Sequence, residues 1–211
     1  MSSSQPAESA RDTRNADVRI RSFCSAREIG LLKFNPQFGA HAQYKSLYTR
    51  KESLEQIAAQ PDANVTLAVQ ADRMIVGFGV LAYPEPSERW AQLQPQVMAE
   101  VKAIEVARDW RSKKVAGRIL EKLTSHRSME EKIAYMVGYS WTWDLDGTRK
   151  TAQQYRQMLI RLFEPCGFIE YQTNEPNICL KPENLFMGRV GQAVDEQTIQ
   201  AFKWLRFGID P

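Results

Sequence analysis

The segment from Arg111 to Gly117 has the residue types and the spacing needed to bind an anion. This basic loop follows a predicted strand, Ala99–Val106, and leads into a predicted helix, Val115–Leu123. The first turn of a helix presents unpaired N–H groups and roughly half a positive charge, to which basic side chains add point charges. A solvated basic loop is the alternative, and only the strand–loop–helix order favours the anion site. The candidate residues are Arg111, Ser112, Lys113, Lys114, Val115, Ala116 and Gly117.

The elements around this loop predict an α/β fold. Alternating or β-branched apolar runs indicate strands, and apolar residues three and four positions apart indicate helices. The predicted strands are Val18–Phe23, Val65–Val69, Met74–Leu81, Ala99–Val106, Ile133–Trp143, Phe168–Gln172 and Leu185–Val190. The predicted helices are Ala26–Leu32, Lys51–Gln60, Val115–Leu123, Thr151–Phe163 and Asp195–Phe207. A hairpin followed by strand–helix alternation predicts a mixed sheet with helices on its faces.

Gly77 and Gly79 superficially fit the glycine pattern of a dinucleotide-binding fold. That motif needs a strand before it and a helix that opens at it. Here both glycines lie inside a predicted strand, and Pro84 and Pro86 follow where the helix should grow. We therefore interpret them as glycines at a bulge or bend of the strand.

Composition excludes several classes of protein. The chain has 211 residues, of which 43% are hydrophobic and 25% charged, which is too apolar for a disordered chain. A formal net charge of +3 gives no argument for a nucleic-acid partner. No apolar run approaches the roughly 20 residues of a membrane span, so no membrane association is expected. Residues 1–15 are expected to be a disordered tail, and 16–211 a single domain.

Cysteine and histidine usage points to a reducing compartment and to no metal site. The three cysteines are scattered and odd in number, which fits the cytoplasm better than a disulfide framework. His41 and His126 stand alone, without the spacing of metal ligands. The first residues also lack the apolar stretch of a signal peptide. A cytoplasmic location is therefore expected.

The loop at Arg111 resembles the acetyl-CoA pyrophosphate loop of the GNAT acetyltransferases. The pattern of that family is Gln or Arg, two residues, Gly, one residue, then Gly or Ala. Arg111 and Ala116 match it, whereas Lys114 stands where the family usually has Gly. The resemblance implies a mixed, mostly antiparallel sheet flanked by helices, and acetyl-CoA as the co-substrate without a metal.

Further stretches resemble one subfamily, the acetoin-utilisation acetyltransferases of the AcuA type. The likeness extends from about Val18 to Phe207. It implies acetylation of a protein lysine, with acetyl-CoA synthetase as the partner that is switched off. The stretches that carry it are Tyr83–Trp90, Ala103–Val106, Tyr139–Thr148, Gly188–Gly191 and Leu205–Phe207.

The resemblance also assigns a general base. A lysine ammonium with a pKa of about 10.4 must lose a proton before it attacks, and a carboxylate on the strand before the loop can accept it. Glu100 lies where lysine-acetylating relatives carry this base, and Glu105 is the second candidate, unless it pairs with Lys102 or Arg108. Strict alternation puts the two glutamates on opposite faces, but a bulge would change that.

Backbone groups of Ile104, Glu105 and Val106 should then face the pantetheine and thioester, with the Val106 N–H as donor to the oxyanion. Many relatives protonate the departing sulfur with a tyrosine, but that position is Phe163 here. Tyr155, about two helical turns away, is the candidate substitute, and a packed aromatic is the alternative interpretation.

Aromatic residues near the expected cleft could hold an incoming lysine by cation–π contact, and a carboxylate could hold it by charge. The alternative is that the tryptophans belong to the core. The candidate substrate-binding residues are Trp90, Trp141, Trp143 and Asp144.

Two other functions stay open. A small-molecule amine acetyltransferase would use the same loop and base. A CoA-binding regulatory module that has lost catalysis is favoured by Lys114 and Phe163, the two departures from the family pattern. The oligomeric state is left open.

Overall fold

The computed structural model describes residues 18–40, 48–71, 73–93 and 96–209. The predicted tail and His41 lie outside these residues. The strands are β1 (Val18–Arg21), β2 (Lys33–Phe34), β3 (Asn64–Gln70), β4 (Met74–Ala82), β5 (Met98–Val106), β6 (Ile133–Gly138), β7 (Ile169–Glu170) and β8 (Leu185–Val190). The helices are α1 (Ala26–Gly30), α2 (Gln37–Ala40), α3 (Lys51–Ala58), α4 (Val115–Thr124), α5 (Leu145–Thr148), α6 (Ala152–Phe163), α7 (Pro176–Cys179) and α8 (Glu196–Leu205).

The strands form one mixed sheet in the order β1-β3-β4-β5-β6-β8-β7, with β2 paired to β4. The β5–β6 and β2–β4 pairs are parallel, and the others are antiparallel. Helix α4 forms the connection between the parallel strands β5 and β6, as a parallel pair requires. The predicted mixed, mostly antiparallel sheet with flanking helices is confirmed.

Strand β6 shows how the two faces of the sheet are covered. Tyr135 and its neighbours pack with Phe202 of α8 on one face. Met136 packs with Leu120 of α4 and Phe163 of α6 on the other face. Alternate side chains of a strand leave opposite faces, so β6 is buried on both sides. This explains its nearly continuous apolar sequence.

Helix α4 lies close against the sheet because β4 carries glycines beneath it. A Cβ on Gly79 would lie 2.6 Å from Ile119 Cγ2, and one on Gly77 would lie 3.0 Å from Ile119 Cδ1. The strand is also bulged here, since Ala68 lies opposite Gly77 while Val69 lies opposite Ile75. The predicted bulge is therefore present, and the glycines additionally allow close packing of the helix.

Several elements differ from the sequence prediction. The predicted strand Ile133–Trp143 ends at Gly138, because Ser140–Thr142 forms a single 3-10 turn whose first N–H donates to Asn184 Oδ1 at 2.7 Å. The sequence does not predict β2, α2, α5 or α7, since two to four residues are too few to show a period. No helix in the described part of the chain is long and apolar enough to span a membrane.

Candidate functional site

Strands β5 and β6 pair over only three residues and then separate. Residues Met98–Glu100 lie beside Ile133–Tyr135, whereas β5 continues to Val106 and β6 to Gly138 without further pairing. The loop that leads into α4 begins where β5 ends. The sheet therefore contains an opening between two parallel strands, with backbone groups on its β5 edge that β6 does not bind. We call it the β5–β6 opening.

Val106 directs its backbone into the opening. The Ala107 N–H donates to the Val76 carbonyl at 2.9 Å, and Val106 lies opposite Gly77. This arrangement makes Val106 and Gly77 the pair that exchanges no hydrogen bonds, so the N–H and C=O of Val106 point away from β4. The Val106 carbonyl accepts a hydrogen bond from Arg111 Nε at 3.1 Å.

Ile104, two residues earlier, has the same backbone orientation as Val106 by the period of the ladder. Glu105 lies between them, opposite Phe78, and its backbone groups are therefore turned toward β4. The expectation that all three backbones face the opening is corrected for Glu105, because its N–H and C=O belong to the β4–β5 ladder.

Strand β5 contains a bulge at Lys102. Ala103 lies opposite Val80 and Val101 lies opposite Leu81, so Lys102 has no partner residue on β4. One extra residue on one strand shifts the alternation of all side chains beyond it by one position.

The bulge puts Glu100 and Glu105 on the same face of the sheet. Glu105 lies opposite Phe78 and Glu100 lies opposite Ala82. Phe78 and Ala82 are four residues apart on a continuous stretch of β4, so they share a face, and opposite residues of a ladder share a face as well. The expectation from strict alternation is therefore wrong, because it counts a regular strand.

Glu100 is a half-buried carboxylate in a group of acidic and tyrosine side chains. Its side chain is 17% exposed, and its Oε2 lies 3.0 Å from Lys102 Nζ. Burial raises the pKa of Glu100 above its ordinary value, the nearby Lys102 ammonium opposes the rise, and Glu88 and Glu85 add to it. Tyr135, its neighbour on β6, donates a hydrogen bond to Glu88 at 3.4 Å. A carboxylate with a raised pKa is suited to accept a proton near neutral pH.

The loop before α4 is built around left-handed backbone at Ser112 and Lys114, whose φ angles are 61° and 58°. Lys114 is the residue before the helix and its side chain makes no cap hydrogen bond. The first intrahelical bond runs from Arg118 N–H to the Lys114 carbonyl at 3.2 Å. The N–H groups of residues 115–117 therefore have no partner within the helix.

Room for a ligand is present at this helix start. A Cβ added to Gly117 would meet its nearest neighbour only at 4.0 Å, so protein packing does not require glycine there. Lys113 Nζ lies 4.5 Å from the centre of the Trp110 ring, which holds one ammonium near the loop. Free N–H groups, fixed cations and open space fit the pyrophosphate of a CoA ester.

Asp144 joins the loop after β5 to the segment after β6. Its carboxylate accepts from Arg111 Nη1 at 2.6 Å and from Arg108 at 2.6 and 3.0 Å. It also accepts from Gly147 N–H at 3.0 Å as the N-cap of α5. Burial would raise its pKa, but the two arginines outweigh burial and hold the pKa of Asp144 below its ordinary value. The pair Arg111–Asp144 thus lies across the wide end of the β5–β6 opening.

Comparison with known proteins identifies the family. No protein-family model matches the chain. Acetoin utilization protein AcuA of Bacillus subtilis strain 168 is 35% identical over 156 residues, which are 74% of this chain and 74% of that protein. The chain belongs to the AcuA family. The crystal structure of an acetoin utilization protein from Exiguobacterium sibiricum 255-15 is similar with a TM-score of 0.83 at 27% identity, covering 90% of this chain and 89% of that chain.

The fold of this AcuA-family chain is that of the GNAT acetyltransferases. An acetyltransferase of the GNAT family from Staphylococcus aureus Mu50 has a TM-score of 0.50 at 16% identity, covering 82% of this chain and 98% of that chain. That likeness shows the fold. The resemblance inferred from the loop and from the longer stretches is therefore confirmed.

Tyr155 lies near the loop of this AcuA-family chain, but it is also a packed aromatic. Its ring stacks on Trp143 at 5.0 Å with an interplanar angle of 14°. Burial raises the pKa of Tyr155, and among nearby charges Arg111 lowers it while Asp144 and Glu105 raise it. The hydroxyl therefore lies within range of the charges of both the loop and β5. Phe163, at the position usual for the tyrosine, is buried against Phe168.

Of the four candidate substrate-binding residues, Trp141 alone is well exposed, at 45%. Trp143 is buried under Tyr155, and Trp90 is buried in a stack with Phe186, with one edge on a shallow groove beside Pro84. Asp144 is 1% exposed and fully engaged. Burial of Trp90, Trp143 and Asp144 therefore argues against their direct contact with a substrate lysine.

Sequence reasoning missed three residues of the site. The sequence predicts Arg108 and Lys102 only as possible partners of Glu105, whereas Arg108 binds Asp144 and Lys102 binds Glu100. For Tyr135 it predicts only a place in a strand, although the tyrosine hydroxyl donates to Glu88. The sequence holds no signal for these contacts, because the bulge at Lys102 is set by the pairing of β5 with β4. Among the described residues no group of three or more His, Cys, Asp or Glu could hold a metal.

Proposed function

We propose that this chain transfers the acetyl group of acetyl-CoA to a lysine side chain of a protein. The observation that carries the proposal is the β5–β6 opening, which has the uncapped start of α4 at its wide end and the carboxylate of Glu100 beside its narrow end. Membership of the AcuA family and the GNAT fold support it.

Acetyl-CoA fits the opening through its phosphates. The N–H groups at the start of α4 would hold the pyrophosphate, and the basic side chains of the loop would add charge. Bound there, acetyl-CoA supplies an acyl group activated as a thioester. The residues in this role are Arg111, Ser112, Lys113, Lys114, Val115, Ala116 and Gly117, with backbone groups of Ile104 and Val106 along the opening.

Glu100 would accept the proton of the incoming ammonium. It lies at the end of the β5–β6 pairing, and its raised pKa places it closer to the working pH than an ordinary glutamate. The Val106 N–H, which points into the opening, would stabilise negative charge on the carbonyl oxygen. Tyr155 would return a proton to the departing thiolate.

The acceptor side has the chemistry to receive a cation. Glu85 and Glu88 flank Glu100, and Trp141 offers an exposed ring that already holds Lys181 Nζ at 5.3 Å from its centre. Acidic and aromatic groups together favour a lysine ammonium. We infer that the acceptor is acetyl-CoA synthetase, which would be inactivated by acetylation, in line with the acetoin utilization name of the relatives.

A cytoplasmic location completes the proposal. Cys24, Cys166 and Cys179 are all free thiols, which fits a reducing compartment. The hypothesis of an inactive CoA-binding module is based on Lys114 and Phe163, and the backbone at Lys114 weakens the first of these arguments. Lys114 adopts left-handed backbone, the conformation that glycine adopts most readily, so its side chain has not prevented the loop from using that conformation.

The test is acetyl transfer from labelled acetyl-CoA to purified acetyl-CoA synthetase by wild type, Glu100→Gln and Glu105→Gln. Both variants change a carboxylate on the same face of β5. We expect Glu100→Gln to lose at least 100-fold in kcat with unchanged acetyl-CoA affinity, and Glu105→Gln to lose much less.

The opposite order would transfer the role of base to Glu105. Labelling of free polyamines but of no protein would replace the protein acceptor by a small amine. CoA binding without transfer to any acceptor would leave only the regulatory module.

A further inference from the structure

We propose that Lys102 is a positioning residue for this reaction. In the free enzyme its ammonium is the counter-ion of Glu100, and it moves away from Glu100 when the ammonium of the acceptor lysine binds there. This inference rests on the proposed function for its second half. Its first half, the pairing with Glu100, is independent of any activity.

The spacing on β5 allows the two groups to meet. Lys102 follows Glu100 by two residues, and side chains two residues apart on a strand leave the same face. Its Nζ lies 3.0 Å from Glu100 Oε2, and the two side chains are 15% and 17% exposed. A half-buried carboxylate needs a partner to stay ionised, and Lys102 is the cation that β5 itself provides.

Lys102 also has a second carboxylate within reach, that of Glu85. Its Nζ lies 3.8 Å from Glu85 Oε1, and the Glu85 side chain is 67% exposed. Turning from Glu100 toward Glu85 would keep the ammonium paired while it moves toward solvent. Glu88 lies on the same side and reaches Tyr135. Counted over the described residues, Glu85, Glu88 and Glu100 face the one ammonium of Lys102, which leaves negative charge for a further cation at Glu100.

Within the described residues, the charged and titratable groups that act on Glu100 come from four parts of the chain, and Lys102 is the cation among them. The pKa of Lys102 is raised, because its neighbouring carboxylates outweigh the effect of burial. Lys102 is therefore held as an ammonium, a counter-ion rather than a nucleophile. The facing groups are Lys102 from β5, Glu85 and Glu88 from the segment after β4, Tyr135 and Tyr139 from β6 and its end, and Tyr48 before α3.

Removal of the Lys102 charge should therefore move the titration of Glu100. The experiment is a carbon-13 NMR titration of glutamate carboxyls in the full chain, with the Glu100 signal assigned by Glu100→Gln. We expect Lys102→Met to raise the Glu100 midpoint by about one pH unit, and Lys102→Arg to leave it within a few tenths. Lys102→Gln replaces the Met variant if thermal unfolding shows that Met impairs folding.

Kinetics tests the second half. For Lys102→Met, the pH midpoint of the acidic limb of kcat/KM should rise together with the NMR midpoint of Glu100. At pH values well above that midpoint, the KM for the acceptor should fall at least threefold, because no Lys102 ammonium competes with the acceptor for Glu100. Lys102→Arg should restore both values.

An unchanged Glu100 midpoint, or an equal shift in Lys102→Arg, would overturn the counter-ion role. A raised acceptor KM in Lys102→Met would overturn the exchange. Absence of transfer by wild type would refute the proposed function alone, since the NMR titration needs no turnover.

Discussion

Arg111 Nη1 lies 2.6 Å from Asp144 Oδ2, and this ion pair connects the loop after β5 to the segment after β6. The two residues are separated by 33 positions in the chain. Arg108 binds the same carboxylate from a second direction. Since the strands before them have already separated, these contacts fix the distance across the wide end of the opening.

Asp144→Asn should loosen this end of the site. Asparagine can still cap α5, but it leaves two arginines without their carboxylate. We expect a loss of about 2 kcal/mol in the free energy of unfolding, which is less than the roughly 3 to 5 kcal/mol of a fully buried pair because both arginines are partly exposed. Acetyl-CoA affinity should fall with it. Urea unfolding and calorimetric titration with CoA measure the two effects.

Asp195→Asn is the matched control for Asp144→Asn, since Asp195 caps α8 through Thr198 N–H on the exposed surface. It should leave CoA affinity unchanged. Equal affinity losses in both variants would show that the Asp144 ion pairs do not hold the loop.

The contribution of Asp144 should depend on pH in a defined direction. Its pKa is lower in the folded chain than the ordinary value of 3.8, so the unfolded chain binds the proton first as pH falls. The stabilisation is complete above that value and disappears as pH falls through the folded pKa. The difference in unfolding free energy between wild type and Asp144→Asn should thus be constant above about pH 5 and shrink below about pH 3.8. A constant difference down to lower pH would contradict this.

Lys114 tests the backbone of the loop separately from its charge. Lys114→Gly and Lys114→Ala remove the same ammonium, but only alanine keeps a Cβ at a φ of 58°. We expect the glycine variant to be more stable than the alanine variant by about 1 kcal/mol. Chemical denaturation of both variants measures the difference. Equal stabilities would mean that the left-handed conformation carries no cost here.

Gly79→Ala should push α4 away from the sheet. The added Cβ would lie 2.6 Å from Ile119 Cγ2 and 3.0 Å from Ile104 Cδ1. We expect a loss of about 1 to 3 kcal/mol in stability and a weaker site for CoA, because the loop moves with the helix. Gly30→Ala, where the nearest atom is 3.6 Å away, is the control and should change neither value appreciably. Thermal unfolding and CoA titration provide both readouts.

Tyr155→Phe separates proton donation from packing. The phenylalanine ring can keep the stack on Trp143, so stability and CoA affinity should stay near wild type. If the hydroxyl protonates the thiolate, kcat should fall by about 100-fold. Steady-state kinetics with saturating acetyl-CoA measures it. A change below about threefold would assign the proton to solvent, in keeping with the low basicity of thiolates.

The sequence was sufficient for the parts of the site that are local. Helix α4 shows its apolar spacing, and the order of strand, loop and helix predicts the anion site without any neighbour. The relation between Glu100 and Glu105 could not be predicted, because it depends on one extra residue in β5 whose position is set by pairing with β4. The sequence predicts Asp144 as a substrate-binding residue because its partners, Arg108 and Arg111, are distant in the chain.

The tryptophans illustrate the same limit. The residue type of an aromatic side chain near a cleft does not show whether that side chain faces the ligand or the core. Trp141 and Trp143 are two residues apart, yet one is exposed and the other buried, because a 3-10 turn replaces the predicted end of β6. That turn determines which of the two tryptophans is exposed, and the alternation of apolar residues in the sequence does not predict the turn.

The short pairing of β5 with β6 has a mechanical consequence. Three residue pairs hold β5 and β6 together at one end of the β5–β6 opening, and the Asp144 ion pairs connect the segments after the two strands at the other end. Contacts at both ends determine the angle between the strands before a ligand binds. The width of the opening is thus set in advance, and little of a ligand's binding energy is used to separate the strands.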